Sequence, residues 1–227
     1  QISTTLWVTG SFDNPAGFAA CLCAGFPFVG FLLSDSNKYI RYVGGLIGFV
    51  IVIAVILSQS RAGIMSIAFI CFILLNMKFF HKRWVKYLSL LCFALLLSGC
   101  YWMKKDSADG RLLIWRCSVS MVKDAPWLGH GIGSFEARYM DYQADYFRQY
   151  GLNRYSMLAD NVKHPFNEYL GVLLNFGFVG LLMILALITL LIYCYKKHPC
   201  AEKRIAFYSL ISIGVFSFFS YTFTYPF

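Results

Sequence analysis

Three polar residues of this sequence have side chains suited to catalysis: Arg61, Arg111 and His164. A guanidinium group can form two parallel, charge-assisted hydrogen bonds to an anion. An imidazole titrates near neutral pH and can accept a proton from a hydroxyl group. Arg111 and His164 lie in a polar segment between Trp102 and Pro165, whereas Arg61 lies well upstream of it. These three residues are the catalytic candidates.

The polar segment interrupts a sequence that is otherwise almost continuously apolar. Hydrophobic residues make up 59% of the 227 residues and charged residues 14%, and the mean hydropathy is +0.60. Soluble domains use about 45–50% apolar and about 25% charged residues, so the composition predicts an integral membrane protein. The net charge of +9 comes from basic residues at the ends of apolar runs, where they orient helices. Nucleic-acid binding is therefore not expected.

Six apolar runs approach or exceed the roughly 20 residues that a helix needs to cross about 30 Å of hydrocarbon. They span residues 15–33, 42–57, 62–80, 85–103, 166–195 and 205–227. The second run is short, and its closeness to the third leaves a merged or re-entrant arrangement open. Six separate spans are favoured, because a single helix through Arg61 would bury a guanidinium group near the middle of the membrane.

The predicted fold is an all-α, polytopic transmembrane helical bundle with a long outer-face loop that contains short amphipathic helices. Short loops rich in Lys and Arg stay on the cytoplasmic side. Three loops qualify: Lys38 and Arg41; Lys78, Lys82, Arg83 and Lys86; Lys196, Lys197, Lys203 and Arg204. The predicted organisation is four spans with an outer-facing N-terminal loop in 1–103, an outer-face loop with surface helices in 104–164 and two spans in 165–227. All three catalytic candidates then fall on the same outer face and could share one site.

Local signals predict two helices inside the polar segment. Asp109 is the expected N-cap of the first, which places Arg111 in its first turn. Its apolar residues recur at helical spacing: Leu112, Trp115, Val119 and Val122. This helix, expected along the membrane surface, should end near Asp124, before Pro126 and a glycine-rich loop.

The second predicted helix begins at Ser134 and carries an aromatic stripe. The stripe consists of Phe135, Tyr139, Tyr142, Tyr146 and Tyr150. One interpretation is a stacking platform for sugar rings. The other, which the general frequency of such belts favours, is a set of aromatic side chains at the membrane interface.

His164 precedes Pro165, a residue favoured in the first turn of a helix, so His164 is the expected N-cap of the fifth span. Glu168, four residues on, could hold the imidazole in one tautomer. The alternative is that His164 only caps the helix and Glu168 only complements the helix dipole. Position alone favours that alternative.

The eight cysteines do not predict a metal site. No CxxC motif and no Cys/His group with metal-ligand spacing occurs in the sequence. Most of the cysteines lie in apolar runs and are expected to pack as small hydrophobic residues. The sequence leaves open whether Cys100 and Cys117 pair.

Several motifs occur in a fixed order along the chain. They are SQSRAG at 58–63, Gly110 with Arg111, Trp115, Pro126, the glycines at 129, 131 and 133 with Phe135, then His164, Asn167, Leu170, Gly177 and Gly180. This order, with the upstream GSFDNPAGFA at 10–19, resembles the O-antigen ligase and O-antigen polymerase family of bacterial membrane glycosyltransferases. Family members have about twice as many spans, and this chain opens at Gln1 without a basic leader. We therefore expect a C-terminal portion of a longer protein.

The resemblance implies an enzyme of the bacterial inner membrane with its active site on the periplasmic side. The implied reaction moves a glycan from undecaprenyl diphosphate to an acceptor hydroxyl, such as one of the lipid A core, with inversion and without a metal or other cofactor. Arg61 and Arg111 would neutralise the departing diphosphate, and His164 would take the proton from the acceptor. Asn167, Glu168 and Arg116 are the expected substrate-binding residues.

Two questions stay open at this point. Many family members have a histidine immediately before the motif asparagine, where this chain has Phe166. If the family's base occupies that position, either His164 replaces it from two residues earlier or His164 is not the base. His130, in the glycine-rich loop, is less favoured. The family also includes polymerases that extend a carrier-linked glycan and enzymes that glycosylate proteins, so the acceptor is not identified.

A transporter is the alternative from another class of protein. Coupled transporters place ionisable residues within their spans. Here the ionisable residues concentrate outside the spans, which favours an enzyme.

Overall fold

The computed structural model describes residues 9–12, 14–78, 83–103, 105–197 and 200–224. Over these ranges the protein is helical and has no strand, which confirms the predicted all-α class. The α-helices are α1 (Pro15–Leu32), α2 (Lys38–Leu57), α3 (Arg61–Lys78), α4 (Arg83–Met103), α5 (Lys105–Asp124), α6 (Ser134–Tyr150), α7 (Glu168–Lys197) and α8 (Ala201–Phe219). Short 3₁₀ helices occur at Ser156–Leu158 and Thr222–Thr224.

Each predicted apolar run coincides with one of α1–α4, α7 or α8. Among the described residues α1, α2 and α7 are long and apolar enough to cross a membrane, and the apolar part of α3, Arg61–Asn76, is shorter. The α2 run is not short, because the helix begins at Lys38 and has 20 residues. A turn in which Gln59 has a φ of +51° separates α2 from α3, so the two do not merge. Residues 79–80 and 225–227 of the predicted runs lie outside the described residues.

The chain folds into two compact units. The first unit comprises residues 1–99 and 198–227 and holds α1, α2, α3, most of α4, and α8. The second unit comprises residues 100–197 and holds α5, α6 and α7. The predicted outer loop is therefore folded together with the helix that follows it.

Small residues set the packing of α1 against α2 in the first unit. A Cβ atom on Gly44 would lie 2.7 Å from the Leu32 side chain, and one on Gly48 would lie 2.7 Å from Val29. Glycine allows two helices to approach this closely in a membrane, where association depends on tight packing. The order of the two pairs makes α1 and α2 antiparallel.

A buried series of hydrogen bonds links α1, α3 and α8. Ser66 Oγ donates to the Ser212 carbonyl at 2.7 Å, and Ser212 Oγ donates to the Cys23 carbonyl at 2.7 Å. Cys23 Sγ in turn donates to the Gly63 carbonyl at 3.5 Å. Interhelical bonds of this kind contribute about 0.6–2 kcal/mol each in a membrane. The surrounding core is apolar and includes Ala19, Phe26, Val29, Val55, Ala62, Ile67, Ile70 and Phe216.

Arg61 lies at one end of the first unit. It opens α3 at the end where α1 begins and α8 finishes, since Asn14 caps α1 and its Nδ2 donates to Tyr221 Oη at 3.3 Å. The opposite end carries basic residues where α2, α4 and α8 begin and where α3 ends: Lys38, Arg41, Lys78, Arg83, Lys86, Lys203 and Arg204. This alternation matches the predicted one, and which end faces the cytoplasm stays a prediction.

In the second unit α5 begins at Lys105, so the prediction of Asp109 as its N-cap is wrong. Arg111 lies in the second turn rather than the first. Asp109 is buried, accepts a hydrogen bond from Tyr101 Oη at 3.1 Å and lies 4.0 Å from an Arg154 nitrogen. Because these partners already satisfy the carboxylate, it is not needed as a cap and the helix extends past it.

The other predicted limits of the two helices are confirmed: α5 ends at Asp124 and α6 begins at Ser134. The buried face of α5 includes only half of the predicted stripe: Trp115 and Val122 pack against the core, whereas Leu112 and Val119 are exposed. The residues that pack inward instead are Leu113, Ile114, Cys117 and Met121.

The aromatic stripe of α6 divides into two parts. Phe135 and Tyr139 are buried with ring centres 4.9 Å apart, so they belong to the core of the second unit. Tyr150 is exposed. Neither proposed interpretation of the stripe anticipated that its first half packs inside the protein.

The glycine-rich loop docks, backbone to backbone, on a break in α7 at Gly177. Gly177 has φ +61° and ψ −159°, which interrupts the helical hydrogen bonds. The carbonyls of Leu174 and Asn175 accept from the backbone of the loop, at His130 N (2.7 Å) and Gly131 N (3.1 Å).

Two further hydrogen bonds of this contact run from the amides of α7 to the carbonyls of the loop. The amides of Phe178 and Val179 donate to Pro126 and Trp127 at 2.8 and 3.2 Å. Four backbone groups released by the break are thereby satisfied, which buried polar groups require.

Gly177→Ala and Gly129→Ala should each destabilise the protein by roughly 2–4 kcal/mol. Both residues have positive φ, and a Cβ on Gly129 would lie 2.6 Å from the Asn175 backbone, while one on Gly177 would collide with the Trp127 carbonyl. Thermal unfolding in detergent measures the loss. Gly131→Ala is the control, because it has a positive φ but open space around it and should cost about 1 kcal/mol. Equal losses at all three positions would contradict the docking.

Candidate functional site

Arg111 of α5 contacts the segment 164–167, which leads into α7. Its guanidinium carbon lies 5.0 Å from the centre of the Phe166 ring, a distance typical of a cation–π contact. Trp115, one turn further along α5, donates its indole N–H to the Pro165 carbonyl at 2.9 Å. Two successive turns of α5 therefore hold the segment that carries His164.

His164 does not cap α7, so the predicted N-cap is wrong, as is the alternative that the histidine serves only as a cap. The helix begins at Glu168, and Asn167 Oδ1 accepts from the Leu170 amide at 3.0 Å. Phe166 has a φ of +53°, a left-handed conformation that turns the chain between Pro165 and Asn167. Asn167 is the N-cap of α7, because its side-chain oxygen follows this turn and accepts the hydrogen bond from the Leu170 amide.

The environment of His164 favours its neutral form. The side chain is half-buried, and this burial lowers the pKa of the imidazole below its usual value near 6.5. The Glu136 carboxylate raises that pKa and the Lys163 ammonium group lowers it, and these two form an ion pair at 3.4 Å. A histidine that is neutral at pH 7 can accept a proton.

The remaining predicted residues are placed as follows. Asn167 is buried, and Glu168 lies in the first turn of α7, where a carboxylate interacts favourably with the helix dipole. A hydrogen bond from the His164 imidazole N–H to the Glu168 carboxylate stays a prediction. Arg61 belongs to the first unit, and its participation in one site with Arg111 also stays a prediction.

Arg116 belongs to a second group of side chains, which includes a residue that sequence reasoning missed. Its Nη1 donates to Tyr146 Oη at 3.3 Å, and its guanidinium carbon lies 5.2 Å from the centre of the Tyr155 ring. Arg154 lies over the same ring at 4.7 Å and donates to Tyr155 Oη at 2.6 Å. Arg154 follows α6 in a stretch without helical periodicity, so no spacing in the sequence marks it.

His130 has a structural role. Its Nε2 lies 2.7 Å from the Met121 carbonyl and its Nδ1 lies 2.9 Å from Arg138 Nη1. A carbonyl only accepts and a guanidinium only donates, so the proton is on Nε2 and Nδ1 is the acceptor. Both ring nitrogens are occupied, which removes His130 as an alternative base.

No three His, Cys, Asp or Glu side chains converge as potential metal ligands within the described ranges. Cys117 is a free thiol in the core of the second unit, and its burial raises its pKa to about 11. It is therefore protonated at neutral pH. The side chain of Cys100 lies outside the described residues.

These features define a helical membrane protein in which the guanidinium group of Arg111 packs on the segment that carries His164. The sequence model of the O-antigen ligase family matches residues 46–185, from α2 through the polar segment into α7. The chain belongs to the O-antigen ligase family, as the order of its motifs predicted. It is a membrane glycosyltransferase of the ligase and polymerase type, which acts on lipid-linked glycans. No curated protein matches the chain.

The pKa of His164 should respond in opposite directions to its two charged neighbours. Glu136→Gln removes the charge that raises the pKa and should lower it, whereas Lys163→Gln should raise it. Since the neutral base is lost as the pH falls through the pKa, the acidic limb of the rate profile moves to lower pH in the first variant and to higher pH in the second. NMR titration of His164 checks both shifts, with Glu202→Gln of α8 as the control. Shifts in the same direction would contradict this arrangement.

Substitutions of Asn167 can separate its role as the N-cap of α7 from a role of its amide group in binding substrate. Asn167→Asp and Asn167→Ser keep an N-capping oxygen, whereas Asn167→Ala should lose about 1 kcal/mol of stability. If the residue only caps α7, the first two variants keep both their melting temperature and their transfer activity. Stable Asp and Ser variants without activity would instead show that the amide group acts on substrate.

Proposed function

We propose that this protein transfers a glycan from undecaprenyl diphosphate to an acceptor hydroxyl at the periplasmic face of the bacterial inner membrane. The donor is a good substrate only when the charge of its diphosphate is neutralised. Without a metal, that task falls to guanidinium groups, for which we propose Arg111 and Arg61. His164 is the proposed general base.

In the proposed step His164 takes the proton from the acceptor hydroxyl, and the oxygen attacks the anomeric carbon of the donor sugar. A carbon–oxygen bond forms there while the bond from that carbon to the diphosphate oxygen breaks. The diphosphate leaves with both electrons of that bond, from the face opposite the attack, so the configuration inverts. The negative charge of the leaving group increases as the bond breaks, and Arg111 and Arg61 stabilise it.

One observation carries this proposal: Arg111 stacks at 5.0 Å on Phe166, two residues after His164, in a chain of the O-antigen ligase family. The guanidinium group and the base are thus supplied by adjoining parts of one folded segment. Burial lowers the pKa of the His164 imidazole and so favours the neutral form, which deprotonation of an alcohol requires. Phe166, at the position where the resemblance expected a histidine, supplies the ring that orients Arg111.

The buried polar groups of the first unit support an enzyme rather than a transporter. Among its described residues those groups are serines: Ser58, Ser60, Ser66, Ser212, Ser217 and Ser220. Ser66 and Ser212 bond to backbone carbonyls, so they join helices. Ionisable groups that could carry an ion or a proton across a membrane are expected within the spans of a coupled transporter.

His164→Ala and Arg111→Ala should each lower the rate of transfer by about 10²-fold or more, the usual loss when a general base or an electrostatic stabiliser is removed. Arg111→Lys keeps the positive charge but loses the planar guanidinium group that can form two parallel hydrogen bonds. Its rate should therefore lie between those of the wild type and Arg111→Ala. The complete protein in nanodiscs, supplied with a glycan on undecaprenyl diphosphate, provides the assay. Arg148→Ala is the matched control, because Arg148 is exposed and pairs only with Asp145 among the described residues.

Transfer at the normal rate by a stably folded His164→Ala variant would overturn the assignment of the base. Added imidazole should restore part of the activity of that variant if His164 acts by accepting a proton. The same assay identifies the acceptor when lipid A core, a second carrier-linked glycan and a protein are supplied in turn. Transfer to the carrier-linked glycan alone would define a polymerase.

A further inference from the structure

Two guanidinium groups of the second unit lie over one tyrosine ring. The carbons of Arg116 and Arg154 are 5.2 and 4.7 Å from the centre of the Tyr155 ring, which is itself only 3% exposed. Both arginines are exposed. A buried ring therefore holds two like charges near each other at the surface, an arrangement that a bound anion would stabilise.

The protein itself supplies little negative charge to this pair. Arg116 forms no ion pair with a carboxylate among the residues that the structure describes, and its bond is to the hydroxyl of Tyr146. Arg154 has Asp109 at 4.0 Å, but that carboxylate is 7% exposed and also accepts from Tyr101. The group therefore has an excess of positive charge that faces solvent.

Aromatic side chains adjoin the two arginines. Tyr146, which accepts the bond from Arg116, has its ring centre 4.9 Å from that of Tyr150, and Tyr150 is 61% exposed. Asn153 Nδ2 lies 3.5 Å from Tyr146 Oη. A broad aromatic surface beside guanidinium groups matches a sugar ring that carries an acidic group, because the ring packs on the aromatic surface and the guanidinium fork binds the anion.

We propose that Arg116 and Arg154 form a subsite for an acidic sugar of the glycan, one that carries a carboxylate or a phosphate group. The proposal rests on the proposed glycan transfer and goes further by naming a substrate class. Arg116 lies five residues after Arg111 on α5, about 7.5 Å along the helix axis and on a different side of the helix. The subsite is therefore separate from the reaction centre at Arg111 and His164, and it selects the glycan rather than activating it.

Binding of a matched pair of ligands tests the subsite. The complete protein in phosphatidylcholine nanodiscs is titrated calorimetrically with an oligosaccharide that contains glucuronate and with its carboxyl-reduced, neutral form. The acidic form should bind about tenfold more tightly or better, as one charge-assisted interaction allows, and added salt should reduce the difference. Equal affinity for the two forms would overturn the proposal. A phosphorylated oligosaccharide, titrated in parallel, shows which anion is preferred.

Variants then locate the effect. Arg116→Gln and Arg154→Gln should each abolish most of the preference for the acidic form, whereas Arg148→Gln should keep it. Arg154→Gln also removes the partner of Asp109 and could unfold the protein for that reason. Arg116→Gln leaves no buried charge unpaired, so it keeps the test valid if Arg154→Gln does not fold. An equal loss in Arg148→Gln would indicate general attraction of charge and would overturn the subsite.

Two further outcomes separate this proposal from its alternatives. Phosphatidylglycerol in the nanodiscs should leave the binding of the acidic oligosaccharide unchanged, and displacement by that lipid would reassign the group to a phospholipid headgroup. His164→Ala should bind the acidic oligosaccharide normally while it loses transfer. Transfer retained by His164→Ala would contradict the proposed reaction but not the proposed subsite, because the preference for the acidic oligosaccharide is measured by binding alone.

Discussion

The second unit depends on one exchange of backbone hydrogen bonds, between the glycine-rich loop and the break in α7 at Gly177. A helix that is interrupted in an apolar environment leaves amide and carbonyl groups unpaired, and each costs free energy unless another group replaces the lost partner. Here the loop from Pro126 to Gly131 replaces them in both directions. Because that loop directly follows α5 and precedes α6, the same bonds fix both helices against α7. The contact of Arg111 with Phe166 forms within this frame.

The first unit is held by a different kind of interaction. Its helices approach closely at Gly44, Gly48 and Gly63, and serine hydroxyls bond to the carbonyls of neighbouring helices. Both devices suit a membrane, where there is no hydrophobic driving force between apolar helices and packing and hydrogen bonds must supply the attraction. In the first unit Ser66 and Ser212 thus join neighbouring helices, whereas His164, Arg111 and Arg116 belong to the second unit.

Much of this fold could be predicted, because its strongest determinants are local. Pro126 and the glycines after it end α5 at Asp124, and the apolar runs became helices. The errors came from tertiary contacts. Tyr101 and Arg154 satisfy Asp109, so α5 continues through it, and the left-handed turn at Phe166 moves the cap of α7 from His164 to Asn167. The sequence does not mark Arg154 for the same reason, because Arg154 and Arg116 are brought together only by the ring of Tyr155.

The break at Gly177 also sets a length. It leaves an uninterrupted helix from Phe178 to Lys197, which at 1.5 Å per residue extends for about 30 Å, the thickness of the hydrocarbon layer. The shorter part of α7, from Glu168 to Phe176, is not needed to cross that thickness, and it adjoins the segment that carries His164. The kink thus divides α7 into a stretch long enough to cross a membrane and a short stretch that continues directly from the polar segment.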